Sequence, residues 1–381
     1  MSAGRLGRFT ATLEGLRGRS RGRALEPRAG HDFASNDYLG LASSPRLKAA
    51  VQEAVARGVP VGAAGSRLLR GNDPEHEALE EEAARFLRAD GCLFFASGFD
   101  ANLALFSTLP RRGDLIVYDE LIHASVHAGM QAGKAEVAAT AHNDAQAMED
   151  AVLRWRGAGG KGTPFIAVES IYSMDGDAAP LTDLMAIAER HDGFLVVDEA
   201  HATGVFGPDG RGLAADYEGR EALISIHTCG KALGVSGALV TAHRSLLDFL
   251  VNRARPFIYA TAPSPLVAAG VRESLRILKD EPERRARLSM LVKTAEGSLM
   301  QRLGVPPSGS QIIPVMLRTN ARATAVAAKV RAAGFDCRAI RPPTVPEGTA
   351  RLRVSLTLNV DAAIVSGLVD AIAEAMAEVP A

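Results

Sequence analysis

In the stretch IHTCGKALGVSG (226–237), Lys231 follows the apolar run ALISI (Ala222–Ile226) and precedes a cluster of glycines. An amine carried into apolar surroundings loses solvation, which lowers its pKa and leaves it a nucleophile for a carbonyl. Alone, it would read as a surface lysine with a buried stem. Three other apolar runs also end in groups that could do chemistry. FLVVDEAH brings Asp198, Glu199 and His201 to the end of a buried run. An acid arriving there needs a partner. A helix cap or an ion pair would serve, and so would the ring nitrogen of a pyridine, which the acid would keep protonated so that the ring draws electrons. FFASGFDANLALF ends a strand and opens a helix, where Ser97, Gly98 and the amides of Phe99 and Asp100 would point at whatever lies before the helix, a natural phosphate cradle. LIVYDELIHASVHAG sets His123 and His127 four residues apart. There is no HExxH glutamate and no third ligand at suitable spacing, so no metal is expected. An imidazole lying flat on an aromatic cofactor suits His123, and a helix-surface position suits His127. The hydroxyl of Thr228 lies just before the lysine.

A carbonyl-binding amine, an acid for a ring nitrogen, a phosphate-binding turn and a stacking imidazole are together what pyridoxal 5′-phosphate requires. On this reading Lys231 holds the cofactor's aldehyde.

These groups need a scaffold that gathers strand ends. The six runs GCLFFAS, LIVYDE, PFIAVES, FLVVDEA, ALISIHT and GALVTA predict strands, several buried on both faces. Amphipathic stretches such as PEHEALEEEAARFL, HNDAQAMEDAVLRW and LTDLMAIAERHD alternate with them. Pro74 after Asn72 and Asp73 marks a helix start. Such alternation predicts an α/β domain with a mostly parallel sheet, whose active site collects at the strands' carboxyl ends. We expect an N-terminal arm over 1–44, a large α/β domain over 45–262, and a smaller C-terminal α+β domain over 263–381 that includes the linking helix. In the last of these, helices over Pro265–Leu278 and Glu283–Leu303 lead to the strand IIPVMLR. A helix over Thr324–Ala333, the strands FDCRAI and ARLRVSL, and a helix over Ala362–Ala377 follow.

The bulk properties exclude other classes. The 381 residues are 47% hydrophobic and 23% charged with a formal net charge of -1, so neither nucleic acid nor an anionic membrane is expected as main partner. The basic stretch GRLGRFTATLEGLRGRSRGRALEPR lacks a signal peptide's apolar segment and reads as a solvated arm. No run approaches the roughly 20 apolar residues of a membrane span. Cys92, Cys229 and Cys337 are far apart and odd in number, which disfavours disulfides and fits a reducing cytoplasm.

The motifs SNDYLGL (35–41), GSRLLRGNDPEHEALE, SGFDAN, HASVH, SMDGD (173–177), VVDEAHATGVFG, HTCGKALGVSGA and AIRPPTVPEGTARLRVSL occur in this order. From about residue 33 to the C-terminus the chain resembles the α-oxoamine synthase family of fold-type I PLP enzymes. The resemblance implies Lys231 as the Schiff-base lysine, Asp198 on the pyridinium nitrogen, His201 on the cofactor's phenolic oxygen and His123 stacked on the ring. Ser173 would lie close by. Ser97, the Gly98 and Phe99 amides and Thr228 would hold the phosphate, joined by Thr261 from the other subunit of a homodimer with shared active sites. Arg353 would grip the substrate carboxylate. In TARLRVSL it shares a strand face with Arg351, for which an exposed edge position is expected. Asn36 and Thr344 would also meet substrate. The arginine expected in the arm to meet the acyl substrate is Arg17, Arg19 or neither. His76 is assigned a structural or interface role. Within the family, AIRPPTVPEGTARLRVSL is most similar to the members that condense L-alanine with a pimeloyl thioester, carried on coenzyme A or on acyl-carrier protein, with loss of carbon dioxide. Related members use glycine with another acyl-CoA. An aminotransferase, or a non-enzymatic dimeric module on the same fold, is the alternative outside the family.

Overall fold

Continuous Val, Ile, Leu and Phe runs have no polar face to give to water, so the strands they form must be covered on both sides. The computed structural model describes residues 5–380 and shows this arrangement. The N-terminal segment forms α1 (Gly7–Gly18) and β1 (His31–Asp32). Next come α2 (Pro45–Ala56), α3 (Pro74–Phe86), β2 (Gly91–Phe95), α4 (Gly98–Thr108), β3 (Leu115–Asp119), α5 (Ala124–Ala132), β4 (Glu136–Thr140) and α6 (Ala145–Gly157). These lead into β5 (Pro164–Glu169), α7 (Leu181–Arg190), β6 (Phe194–Asp198), β7 (Leu223–Thr228), β8 (Ala238–Ala242), α8 (Arg244–Arg253), α9 (Arg255–Ile258) and α10 (Pro265–Asp280). The C-terminal part adds α11 (Glu283–Leu303), β9 (Ile312–Arg318), α12 (Asn320–Ala332), β10 (Phe335–Asp336), β11 (Arg338–Ile340), β12 (Ala350–Ser355) and α13 (Ala362–Glu378).

The chain divides into two units. The larger holds Asp37–Ser173 and Asp177–Ala286, and the smaller holds the chain up to Asn36, Met174–Gly176 and the chain from Arg287. Helix α10, which the sequence reading groups with the C-terminal part, goes with the larger unit. Its Ala268, Ala269, Val271, Leu275 and Leu278 are buried, and it packs on α2 and α3.

The larger unit contains a seven-stranded sheet in the order β2-β8-β7-β6-β5-β3-β4. All strands run parallel except β8, which is antiparallel to both its neighbours. The six expected strands are all present. The seventh, β4, escaped because it lies at the sheet's edge with mostly exposed side chains and therefore has no continuous apolar run. Side chains alternate across the sheet. Ile116, Phe165, Ala167, Val196, Ile224 and Ile226 enter one core with Leu105 and Phe106 of α4 and Val126 of α5. Leu115, Val117, Ile166, Val168, Leu195 and Val197 enter the other with Met148 and Trp155 of α6 and Leu184 of α7.

The smaller unit carries an antiparallel sheet in the order β11-β12-β9 and a two-residue parallel ladder of β1 with β10. Among the described residues no helix is long and apolar enough to cross a membrane, no group of side chains has metal-ligand spacing, and all three cysteines are free thiols.

Helix α3 begins as the Asn-Asp-Pro signal requires. The Asp73 carboxylate accepts from the Glu75 amide at 2.9 Å, and the His76 ring accepts from the Asp73 amide at 3.1 Å. Its other nitrogen donates to the Pro263 carbonyl at 2.8 Å, so His76 ties α3 to the segment before α10, a structural role.

A second histidine fastens the loop after β5. His142 bonds both carboxylate oxygens of Asp119 at 3.0 Å and Asp177 at 2.8 Å. Burial alone would lower its pKa, but the bonds and charges of Asp119 and Asp177 outweigh burial and raise it to about 10. A histidine pKa raised on folding stabilises fully below the unfolded value near 6.5, and the contribution is lost as pH rises toward 10. His142→Gln should therefore destabilise the protein by about 1.5–3 kcal/mol at pH 6, the scale of hydrogen bonds to charged groups. The difference from the parent in denaturant melts should shrink as pH approaches 10. A difference that grows with pH would contradict the assignment.

Candidate active site

Where a parallel strand ends, its last side chains and the loop behind it face the same edge of the sheet. The ends of β2, β3, β5, β6 and β7 carry Ser97, His123, Ser173, Asp198 and Lys231 respectively. Register fixes their spacing. Ala238, the first residue of β8, pairs with both Phe95 and Thr228, so the ends of β2 and β7 flank it. Period-two alternation then puts Glu169, Asp198 and Thr228 on the face covered by α4 and α5, since Ala167, Val196 and Ile226 lie on that face.

The turn from β2 into α4 forms the cradle. Ser97 is the N-cap; its hydroxyl accepts from the Asp100 amide at 3.1 Å and donates to the Asp100 carboxylate at 2.8 Å. The Gly98 and Phe99 amides occupy the helix's open first turn, where backbone donors lack intrahelical partners. Gly98 must be glycine for a steric reason: a Cβ there would lie 2.6 Å from Thr228 Cγ2. This contact joins the cradle to the strand that leads to the lysine.

Asp198 is buried at 6% exposure, and both of its carboxyl oxygens meet oriented donors. Asn102, one turn into α4, donates to Oδ2 at 2.8 Å, and the Ala200 amide donates to Oδ1 at 3.0 Å. The same Asn102 amide nitrogen donates to Ser125 Oγ at 3.0 Å, and that hydroxyl bonds His123 Nδ1 at 2.8 Å. The Ser125 amide also points at Nδ1, at 3.3 Å. This network assigns Nδ1 as acceptor and leaves the proton on Nε2. Burial lowers the His123 pKa; the Lys231 and His127 charges act in the same direction and Asp198 opposes them. The lowered pKa favours the neutral imidazole, which suits a flat stacking partner. His127 packs edge-on against Tyr118 at 5.3 Å and has no part in the network.

Lys231 sits in the tight connection between β7 and β8. The Cys229 amide bonds the Gly237 carbonyl at 2.8 Å, and the Lys231 carbonyl accepts from the Gly234 amide at 2.9 Å. Gly234 adopts φ +68°, and a Cβ on it would meet the Ala42 amide nitrogen at 2.5 Å. The side chain of Lys231 is half-buried, and its charge is felt by both His123 and Glu169. His201 is buried, with Nδ1 2.5 Å from the Tyr38 hydroxyl. Ser173 is buried, and its amide donates to Glu169 Oε2 at 3.0 Å. Thr261 lies on an exposed stretch before α10.

The larger unit thus brings together Ser97, Gly98, Phe99, His123, Ser173, Asp198, His201, Thr228 and Lys231 on the strand ends and the loops behind them. Thr261 also belongs to the larger unit, and the smaller unit holds the remaining predicted residues. Arg353 is 7% exposed and donates to Ser355 Oγ at 2.6 Å. The expectation of an exposed edge position for Arg351 is wrong: β12 is the central strand of its sheet, and Arg351 is 3% exposed. Its guanidinium pairs with Asp175 at 2.5 Å and donates to the Met174 carbonyl at 3.2 Å, because an arginine on a covered face must be neutralised. Asn36 is half-buried, while Arg17, Arg19 and Thr344 are exposed. The arm residue that touches Thr344 is Arg23, which donates to its hydroxyl at 3.2 Å.

Sequence reasoning passed over Asn102, Ser125, Tyr38 and Glu169. Glu169 could have been found, since it ends a buried run as Asp198 does. Asn102 and Tyr38 carry no local signal, because each reaches a partner distant in the chain, and Ser125 serves the network only through its bond from Asn102 on α4. Glu169 is 2% exposed, and its Oε1 is buried without a hydrogen-bond partner. Such an orphaned atom costs about 1–3 kcal/mol. The donor set fits pyridoxal 5′-phosphate: amides and hydroxyls for the phosphate, a buried carboxylate for the ring nitrogen, a neutral imidazole for the ring face and an amine for the aldehyde.

A profile of the class I and II aminotransferases matches residues 30–372. An 8-amino-7-oxononanoate synthase from Anaeromyxobacter dehalogenans is 40% identical over 397 residues, covering 100% of this chain and 98% of the relative. Among solved structures, a serine palmitoyltransferase from S. paucimobilis with PLP and myriocin bound matches with TM-score 0.89 and 27% identity, covering 100% of this chain and 99% of the other. The 8-amino-7-oxononanoate synthase of Francisella tularensis matches with TM-score 0.75 and 28% identity over 91% of this chain and 97% of that one.

Proposed function

Because the chain belongs to the class I and II aminotransferase family, we propose that it binds pyridoxal 5′-phosphate through Lys231 and condenses L-alanine with a pimeloyl thioester, the reaction of the 8-amino-7-oxononanoate synthases to which it is similar. The observation that carries this reading is the Asp198–Asn102–Ser125–His123 network beside Lys231. It supplies a fixed anion and a neutral imidazole at one place. In the overall reaction the alanine Cα forms a bond to the thioester carbonyl carbon, the C–S bond breaks to release the thiol carrier, and the alanine carboxylate leaves as carbon dioxide.

The cofactor, when bound, supplies an electron sink for the negative charge that develops at Cα. The chain's own residues do the rest. Lys231 Nζ, freed from its carrier role once the amino acid is bound, accepts the α-proton and returns one to the product. Asp198 holds a negative charge under the ring nitrogen. His123 covers the ring face without adding charge. The cradle of Ser97, Gly98, Phe99 and Thr228 anchors the phosphate, so the ring is aligned before substrate arrives. His201, steered by the Tyr38 hydroxyl, offers a hydrogen bond to the oxygen that gains charge when the thioester is attacked. Arg353 is our choice for the carboxylate clamp, because a guanidinium reads a carboxylate in two parallel bonds. We also infer a homodimer, with Thr261 contributed to the neighbouring site.

Mass spectrometry of the product tests the reading. Alanine with a pimeloyl thioester should give 8-amino-7-oxononanoate and carbon dioxide, with glycine and other acyl-CoA donors turned over more slowly. A ketone formed without carbon dioxide would place the chain among the aminotransferases instead.

A further inference from the structure

Two buried carboxylates lie side by side at the floor of the site, and only one of them has a role so far. Glu169 and Asp198 are register partners on the parallel strands β5 and β6, so both point to the same face. Asp198 is satisfied by Asn102 and the Ala200 amide, donors suited to a charged acceptor. Glu169 receives bonds from the amide and the side chain of Ser173, and its Oε1 is buried without a hydrogen-bond partner. Two adjacent carboxylates removed from water ionise in separate steps, the second at a raised pKa. The groups facing Glu169 are Asp198 on β6, Lys231 after β7 and, on its own segment, Tyr172 and Ser173. From α4 the floor receives the uncharged Asn102.

We propose that Glu169 is a positioning residue that stays a neutral acid beside Asp198, limits the floor of the site to one negative charge, and so sets the pH at which the Lys231 nitrogen gives up its proton. Burial, and next the charge of Asp198, push its carboxyl up to about 8 against the opposing pull of Lys231. Below that pH, Lys231 faces one anion. Above it, Glu169 ionises, a second anion appears, and the protonated nitrogen is held more tightly. Loss of one proton thus hinders loss of the other, and the two titrations spread apart.

The inference rests on the cofactor reading above, and the visible absorbance of the Lys231-bound cofactor separates the two. Titrated from pH 6 to 10, the parent holoenzyme should give a curve broader than a single proton allows, with a slope below 1. Glu169→Gln keeps the shape and an acceptor for the Ser173 amide but cannot ionise. It should give a single-proton curve with its midpoint lowered by about 1 unit, the effect of removing one nearby opposite charge. A parent without visible absorbance would sink the cofactor reading itself. A coloured parent with a single-proton curve, or a variant whose midpoint matches the parent's, would overturn this inference alone. The shape of the parent's curve decides the question even if the variant does not fold.

Discussion

Lys231→Ala should yield a folded protein that keeps no visible absorbance after desalting and whose turnover falls by about 10³–10⁴-fold, the upper range for losing a positioned acid–base group. The fold should survive because Lys231 supports its turn through the backbone. Its carbonyl accepts from the Gly234 amide, and that bond needs no side chain. The half-buried side chain leaves no deep cavity when removed. Cofactor should still enter the cradle of Ser97, Gly98, Phe99 and Thr228, now reversibly, so dialysis should strip it from the variant and not from the parent. A variant that retained both colour and turnover would remove Lys231 from the chemistry and the proposed reaction with it.

Asp198→Asn should lower turnover by about 10²–10⁴-fold while leaving the thermal midpoint nearly unchanged. The site can absorb the swap. In the parent, Asn102 donates to Asp198 Oδ2 and its own Oδ1 is buried without a partner. Rotating the Asn102 amide would offer that oxygen to the new side chain's NH₂ group at the loss of the bond its nitrogen gives Ser125 Oγ, and the Ala200 amide would keep its acceptor. What the variant loses is the negative charge, and with it the proton on the ring nitrogen. The loss also removes the charge that pushes Glu169 upward, so Glu169 should ionise more readily in this background. The effects of Asp198→Asn and Glu169→Gln should therefore not add, as expected for groups in one network. Turnover within tenfold of the parent would show that Asp198 does not serve the cofactor.

The α/β class was legible because buried parallel strands write themselves as continuous apolar runs, and β5, β6 and β7 are such runs. The edge strand β4 was illegible for the converse reason, since its side chains are solvated. The start of α3 could be placed because Asp73, Pro74 and His76 act on their own helix. Arg351 was misjudged because residue spacing states which residues share a face and not whether that face is covered.

Which chemistry was on offer could be read from residue order alone. Lys231, Asp198, His123 and the Ser97–Phe99 turn each follow an apolar run, and a buried run that ends in a polar group announces a site. The surroundings of those groups follow from folding. The downward push on the His123 pKa from Lys231, the Asn102 bond on Asp198 and the upward push on Glu169 from Asp198 come from groups on other strands and helices. Ionisation responds to desolvation and to charges within a few ångströms in space, and distance along the chain carries no information about either.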